Sequence, residues 1–208
     1  MTPLDKLITY FEKFPGVGIR QAKRFTFHLL TLPEERKKEL AELIISLDNA
    51  VTECVFCHRF FSKHKQETRV CDICADSNRD QQKLLVVASD SDILAIEKSH
   101  SYNGLYFVLG GTVSLLTTKN KDNEQKIRAG GLKSLITEKI KTDDLEVILG
   151  FSVNPDGENT SRFIETILDE FVAGKKVKIS YLGRGLSTGS ELEYADSETI
   201  KNALRNRL

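Results

Sequence analysis

The sequence predicts a multidomain α + α/β protein: helices first, then a small four-cysteine segment, then an α/β region with a mostly parallel sheet, and a C-terminal tail. Three observations carry this. Apolar residues recur at helical spacing from Leu4 to Leu47. The only four cysteines, Cys54, Cys57, Cys71 and Cys74, form two Cys-x-x-Cys pairs separated by thirteen residues. Beyond them, short apolar runs alternate with helical patterns, as in βαβ units. The expected divisions are residues 1–53, 54–76, 77–180 and 181–208.

The 208 residues can build one large domain or two small ones. With 40% hydrophobic and 29% charged residues, the composition is that of a soluble globular protein. Lys+Arg and Asp+Glu balance at 30 each, so any contact with nucleic acid must come from a local patch. No apolar run is long enough for a membrane span, and Met1–Phe14 lacks the apolar block of a signal peptide, so a cytoplasmic location is expected.

The first helix has Thr2 as N-cap, Pro3 at its first position and Asp5 at its positive end. Leu4, Leu7, Ile8 and Phe11 give it one apolar stripe, and Pro15 stops it. Pro15-Gly16-Val17-Gly18 reads as a tight turn, and a second helix starts near Ile19 with Ala22, Phe25 and Leu29 on one face. Helix, Gly-x-Gly turn and helix together look like a helix-hairpin-helix element. Its chemistry is phosphate capture: Gly16 and Gly18 let backbone N–H groups approach an anion, and the following helix N-terminus adds its dipole. Arg20, Lys23 and Arg24 lie just beyond, in reach of the same or neighbouring phosphates. An ordinary helical corner with a solvated basic face is the competing reading, and His28 reads as a surface helix residue. Pro33 opens a third helix with Leu40, Leu43, Ile44, Leu47 and Val51 as its apolar stripe.

Each Cys-x-x-Cys pair can fold into a knuckle that aims two thiolates at one point, and the intervening loop lets the knuckles meet. Four converging thiolates form a closed tetrahedral cage, which is a structural zinc site, one ion per chain. Two disulfides, a redox pair, or a site using His58 or His64 are the alternatives. Nothing suggests a secreted chain, and a redox motif would not come twice. Phe60 and Phe61 are expected to pack on the cage, with Lys63, His64, Lys65 and Arg69 exposed, and the polar stretch Ser77 to Lys83 to mark a boundary.

The second half reads as a strand at Leu84–Val87, a helix capped by Ser89 or Asp90, and a strand Tyr106–Leu109 ended by Gly110-Gly111. A polar loop over Thr117–Ala129, a helix near Leu132–Ile140 and a strand Val147–Leu149 follow. A glycine-containing turn, a helix over Arg162–Phe171 and a strand Val177–Tyr181 complete the pattern. Ligands of such sheets sit at the carboxyl ends of the strands. Those ends carry Asp92 after the first strand and Asp156 and Glu158 after the third. Such acids can bind magnesium, or simply serve as solvated caps; Ala88 occupies the position best placed for an acid.

The chain resembles the RecR family of bacterial recombination mediators along nearly its whole length. The first matching block is Phe14 to Gly18 with Arg20, Ala22, Arg24, Phe27, His28 and Leu29, and the second is the four-cysteine motif with Ile73. The third runs from Val86-Val87 through Asp92 and Glu97 to Gly104-Leu105-Tyr106 and Val108–Gly111, similar to the family's Toprim domain. The fourth is Arg184-Gly185-Leu186, Gly189, Leu192 to Asp196 and Thr199. The resemblance implies a non-enzymatic role in DNA repair: a ring-like tetramer that binds DNA and acts with RecO and RecF to load recombinase at gaps. It implies DNA contacts at Arg20 and Arg24, with Lys23 an added charge, and zinc on the four cysteines. Asp92, Asp156 and Glu158 match the family's Toprim acids, tied to partner binding rather than cleavage.

The sequence departs from the family pattern at Ala88, where Glu is usual, and at Ser187, where proline is common. Phe151-Ser152-Val153 replaces a more polar stretch, and the Thr117–Ala129 loop lacks the usual Gly/Pro pattern. The competing classes are a magnesium-dependent Toprim enzyme acting on DNA and a zinc-dependent protein adaptor without DNA contact.

Overall fold

The computed structural model describes residues 1–63, 69–114, 127–183 and 199–201. The chain divides into two compact units, Met1–Thr52 and Glu53–Leu208.

In the first unit, α1 (Pro3–Glu12) begins with a capping box: the Asp5 N–H donates to Thr2 Oγ1 at 3.2 Å, and Thr2 N–H donates to Asp5 Oδ2 at 2.8 Å. The hairpin leads into α2 (Ile19–Thr31), and α3 (Glu34–Ala50) follows with Pro33 as its N-cap. Ala22 and Thr26, one turn apart, are the buried residues of α2, and Thr26 satisfies its hydroxyl on the Ala22 carbonyl at 2.9 Å. Phe25, expected on the packed face, is 44% exposed, although its ring meets Phe11 edge-on at 5.9 Å. The apolar stripe of α3 is also exposed: no residue of this helix is buried. Val51 leaves the stripe altogether and starts β1 (Val51–Glu53), as a β-branched residue at a helix end readily does.

β1 pairs with β2 (Phe60–Ser62), and a single turn, α4 (Asp72–Ala75), carries the second cysteine pair. The main sheet has strands β3 (Asp80–Val87), β4 (Gly104–Val108), β5 (Leu145–Gly150) and β6 (Val177–Tyr181) in the order β4-β3-β5-β6, all pairs parallel. β3 starts inside the stretch expected to be polar linker, β4 starts two residues early, and Leu109 lies beyond its end.

The two faces of the sheet follow from the period of two. Leu84 and Val86 of β3 point to one face, with Leu105 and Phe107 of β4 and Val147 and Leu149 of β5. Helices α6 (Ala129–Lys139) and α7 (Pro155–Ala173) cover that face with Leu132, Ile136, Ile164 and Leu168. Leu85, Val87, Tyr106 and Val108 point the other way and are covered by Ile93 of α5 (Asp90–Ser99) and by Cys54, Cys57 and Cys71. Each fully buried Leu, Val or Phe contributes about 1.5–3 kcal/mol, so this double-sided burial holds the unit together.

α7 starts seven residues before the expected helix, so Asp156 and Glu158 are helical rather than in a turn. Asn154 caps it by accepting the Gly157 N–H at 2.8 Å, and a Cβ on Gly157 would collide with the Ser152 carbonyl. The polar Asn159, Thr160 and Ser161 broke the apolar periodicity, but Thr160 is buried for a reason: its hydroxyl donates to the Asp156 carbonyl at 2.6 Å and accepts the Val113 N–H at 2.8 Å. The fourth family-like block, Arg184 to Asp196, the residues His64 and Lys65, and most of the Thr117–Ala129 loop lie outside the described residues. Among the described residues no helix is long and apolar enough to cross a membrane.

Candidate metal centre and phosphate-binding hairpin

Cys54 and Cys57 sit on a knuckle closed by two backbone bonds, from His58 N–H to the Cys54 carbonyl at 3.0 Å and from Cys54 N–H to the Arg59 carbonyl at 2.9 Å. His58 takes φ +61°, a left-handed conformation that turns the chain back. Cys71 caps α4, and its thiol accepts the Cys74 N–H at 3.5 Å. The Cys71 N–H in turn donates to Cys54 Sγ at 3.4 Å, tying the knuckles together.

All four sulfurs lie within 4.8 Å of one another, with Cys57 and Cys71 at 3.5 Å, and the four cysteines can hold a metal ion. Hydrogen bonding from Cys57, then Cys71 and Cys74, holds Cys54 far below the ordinary thiol range. The same crowding, led by Cys54, pushes Cys57 and Cys74 far above it. Four clustered sulfurs crowd one another's charges, and a dication that replaces their protons relieves the crowding. His58 is otherwise engaged: Nδ1 lies 2.5 Å from Glu53 Oε1, its ring packs edge-on to Phe107 at 5.2 Å, and Glu53 also pairs with Arg128 at 3.3 Å.

The centre is part of the sheet's covering rather than an appendage. Val108 N–H donates to the Cys57 carbonyl at 2.8 Å, and Phe60 N–H donates to Asp90 Oδ1 at 2.7 Å at the start of α5. Arg59 pairs with Asp72 of the other knuckle. Phe61 packs in this cluster as expected, whereas Phe60 is 56% exposed because alternate β2 residues face opposite ways.

A polar network that the sequence did not signal lies just past the second knuckle. Arg79 makes a bidentate pair with Glu97 of α5 at 3.0 and 2.5 Å, Tyr106 donates to the same carboxylate at 2.6 Å, and Arg79 also reaches the Gly104 carbonyl at 3.1 Å. Arg79 holds the Glu97 carboxyl below the usual range. Glu97 was legible only as one residue of a family-like block, and Arg79 in a polar stretch carried no signal.

In the hairpin, Val17 N–H donates to the Phe14 carbonyl at 3.0 Å, and Gly16 takes φ +74°. Gly18 is the N-cap of α2 and makes no side-chain cap, so nothing on it shields the first-turn N–H groups. A Cβ at either glycine would meet nothing within 4 Å. Gly16 is required by its backbone angle, whereas Gly18 keeps the approach to the helix end clear. Arg20, Lys23 and Arg24 are all exposed on α2, the last two about one turn beyond Arg20, and Arg24 touches Gln21 at 3.2 Å.

The acids at the strand ends are not gathered into a site. Asp92 accepts Ser89 N–H at 2.8 Å and Ser89 Oγ at 3.0 Å as the capping box of α5, while Asp156 and Glu158 lie in the first turn of α7. Among the described residues, the four cysteines are the only group of three or more such ligands that converges.

The fold and centre define a multidomain protein with a helix-hairpin-helix, a four-cysteine metal centre and a Toprim domain. Family models agree: residues 4–47 match the RecR helix-hairpin-helix, 82–183 the Toprim domain and 185–208 the RecR C-terminal region. The chain is 36% identical to the recombination protein RecR of Streptococcus thermophilus over 206 residues, 99% of this chain and 96% of that protein. Over the same shares it is 35% identical to the RecR protein of Lactobacillus acidophilus and 34% to that of Lactobacillus helveticus. The chain belongs to the RecR family of recombination proteins.

Proposed function

We propose that this protein is a non-enzymatic mediator of recombinational DNA repair that clamps DNA as a ring-like homotetramer and acts with RecO- and RecF-like partners to load recombinase at gaps. The observation that carries the reading is the hairpin: two glycines open to solvent at a helix N-terminus, followed by three exposed cations. Gly16, Gly18, Arg20, Lys23 and Arg24 bind phosphate and fix position without reading sequence.

One hairpin neutralises two or three phosphates and binds weakly, the more so in salt. Several copies on one assembly gain avidity through effective concentration. An assembly also accounts for α3, where Leu43, Ile44, Ile45 and Leu47 are between 55% and 74% exposed.

Cys54, Cys57, Cys71 and Cys74 hold one structural zinc ion. Four thiolates are its preferred closed set, and a tetrahedral site with Zn–S of about 2.3 Å spaces sulfurs about 3.8 Å apart, within the observed span. The ion supplies folding energy to the cover of the sheet. Asp92, Asp156 and Glu158 serve partner contacts; Ala88 in place of an acid after β3, and the capping role of Asp92, support this over metal-dependent cleavage.

The test is retention of DNA at low salt by the double variant Arg20→Ala plus Arg24→Ala, with light scattering to report subunit number. Loss of retention by a folded oligomer is expected. Unchanged retention, or magnesium-dependent nicking abolished by Asp156→Ala, would overturn the reading.

A further inference from the structure

We propose that Cys74 is the reactive sulfur of the metal centre, the atom at which a hydroperoxide or a small soft electrophile attacks and through which the ion is lost. The inference rests on the zinc reading above. Three independent features single out this ligand.

The first is access. Cys54, Cys57 and Cys71 are 0% exposed, whereas Cys74 is only partly buried. The second is a path. Cys74 lines a cavity of about 330 Å³ walled by Phe56, Leu105 and Leu135, with Lys139 and Thr142 also lining it. That volume admits a small organic molecule, and apolar walls favour a weakly polar reagent over a hydrated ion. The third is hydrogen bonding. Cys54 accepts the Cys71 N–H at 3.4 Å, and Cys71 accepts the Cys74 N–H at 3.5 Å. Among the described residues no backbone N–H bonds to the sulfur of Cys74 or of Cys57, and of these two only Cys74 is accessible. An N–H donor withdraws charge from a thiolate, so a sulfur without one keeps the most electron density for attack.

The chemistry balances with hydrogen peroxide as the oxidant. The Cys74 thiolate attacks a peroxide oxygen; an S–O bond forms, the O–O bond breaks, sulfur is oxidised to the sulfenic acid and hydroxide leaves. A second cage thiolate, already within 4.8 Å, then displaces hydroxide from that sulfur, forming S–S as S–O breaks. Two thiolates and one peroxide have become one disulfide and two hydroxides. The remaining two thiolates no longer make a closed site, and the ion is released. A thiol reductant reverses the change. The consequence reaches the sheet, because Leu85, Val87, Tyr106 and Val108 lose their cover.

The test uses the purified full chain with its metal content measured first by elemental analysis. N-ethylmaleimide is added at one equivalent, metal release is followed with a chromogenic chelator, and the modified cysteine is mapped by mass spectrometry. At least tenfold preference for Cys74 is expected, with metal release proportional to its modification. Phe56→Ala, which widens the cavity, should speed that reaction at least threefold, and hydrogen peroxide should release metal in a manner dithiothreitol plus zinc restores. Even labelling of the four cysteines, first labelling at another one, or no effect of Phe56→Ala with metal bound overturns the proposal and leaves the zinc reading intact. A folded, metal-free protein at the outset overturns both.

Discussion

The backbone N–H of Val108 donates to the carbonyl of Cys57 at 2.8 Å, so a residue of the metal centre completes the hydrogen bonding at the end of β4. That strand is the edge of the main sheet, and its Tyr106 and Val108, with their β3 neighbours Leu85 and Val87, are buried beneath Cys54, Cys57 and Cys71. An ion held by the four cysteines would therefore couple its binding to the stability of the sheet.

Removing the metal should destabilise the α/β unit as a whole. Chelation, or Cys57→Ser, is expected to lower the melting temperature by circular dichroism by more than 10 °C. Binding energy of this kind is worth ~10–16 kcal/mol in isolated zinc peptides. A melting curve unmoved by complete metal removal would separate the centre from the fold.

The two hairpin glycines should fail differently. Gly16→Ala forces a side chain into φ +74° and should cost about 1–2 kcal/mol of stability. Gly18→Ala has an ordinary backbone angle and free space for its methyl group, so it should cost only the loss of a favoured N-cap residue, about 0.5–1 kcal/mol, while DNA affinity drops. Denaturant melts and fluorescence anisotropy read the two effects. Wild-type affinity in Gly18→Ala would mean that no ligand comes close to that residue.

Arg20 and Arg24 should also appear in the salt dependence. Each phosphate contact contributes about 0.9 to the slope of log affinity against log salt on duplex DNA. The double alanine variant should flatten that slope by about 2 per engaged hairpin, across all DNA sequences. A weakened affinity with an unchanged slope would point to an indirect effect.

Glu97→Gln should cost about 2 kcal/mol, because Arg79 and Tyr106 lose a charged partner in a half-buried setting. The native Glu97 carboxyl is held below its ordinary range, so its contribution is complete above the unfolded carboxylate pKa and is lost as pH falls through the folded value. Wild-type stability should therefore fall on acidification from about pH 5 downward, more steeply than that of Glu97→Gln. Identical acid limbs for the two proteins would remove Glu97 from the account.

Much of this protein is local, and locality is what a sequence records. The cysteine spacing predicted the convergence of the four sulfurs, because two short knuckles need only their own turns and a loop long enough to meet. Proline, glycine and the capping residues placed the first two helices, and the unbroken apolar run Leu84–Val87 placed a buried strand. What depended on distant partners was not legible. Phe60 and the α3 stripe carry apolar patterns identical to those of buried residues, yet whether a face is covered depends on what the rest of the chain brings to it. α7 extends back to Pro155 through polar residues because Val113, 47 positions from Thr160, supplies a buried donor. The joint burial of the cysteines with one face of the sheet arose the same way, since hydrogen bonds and packing across the fold have no period along the chain.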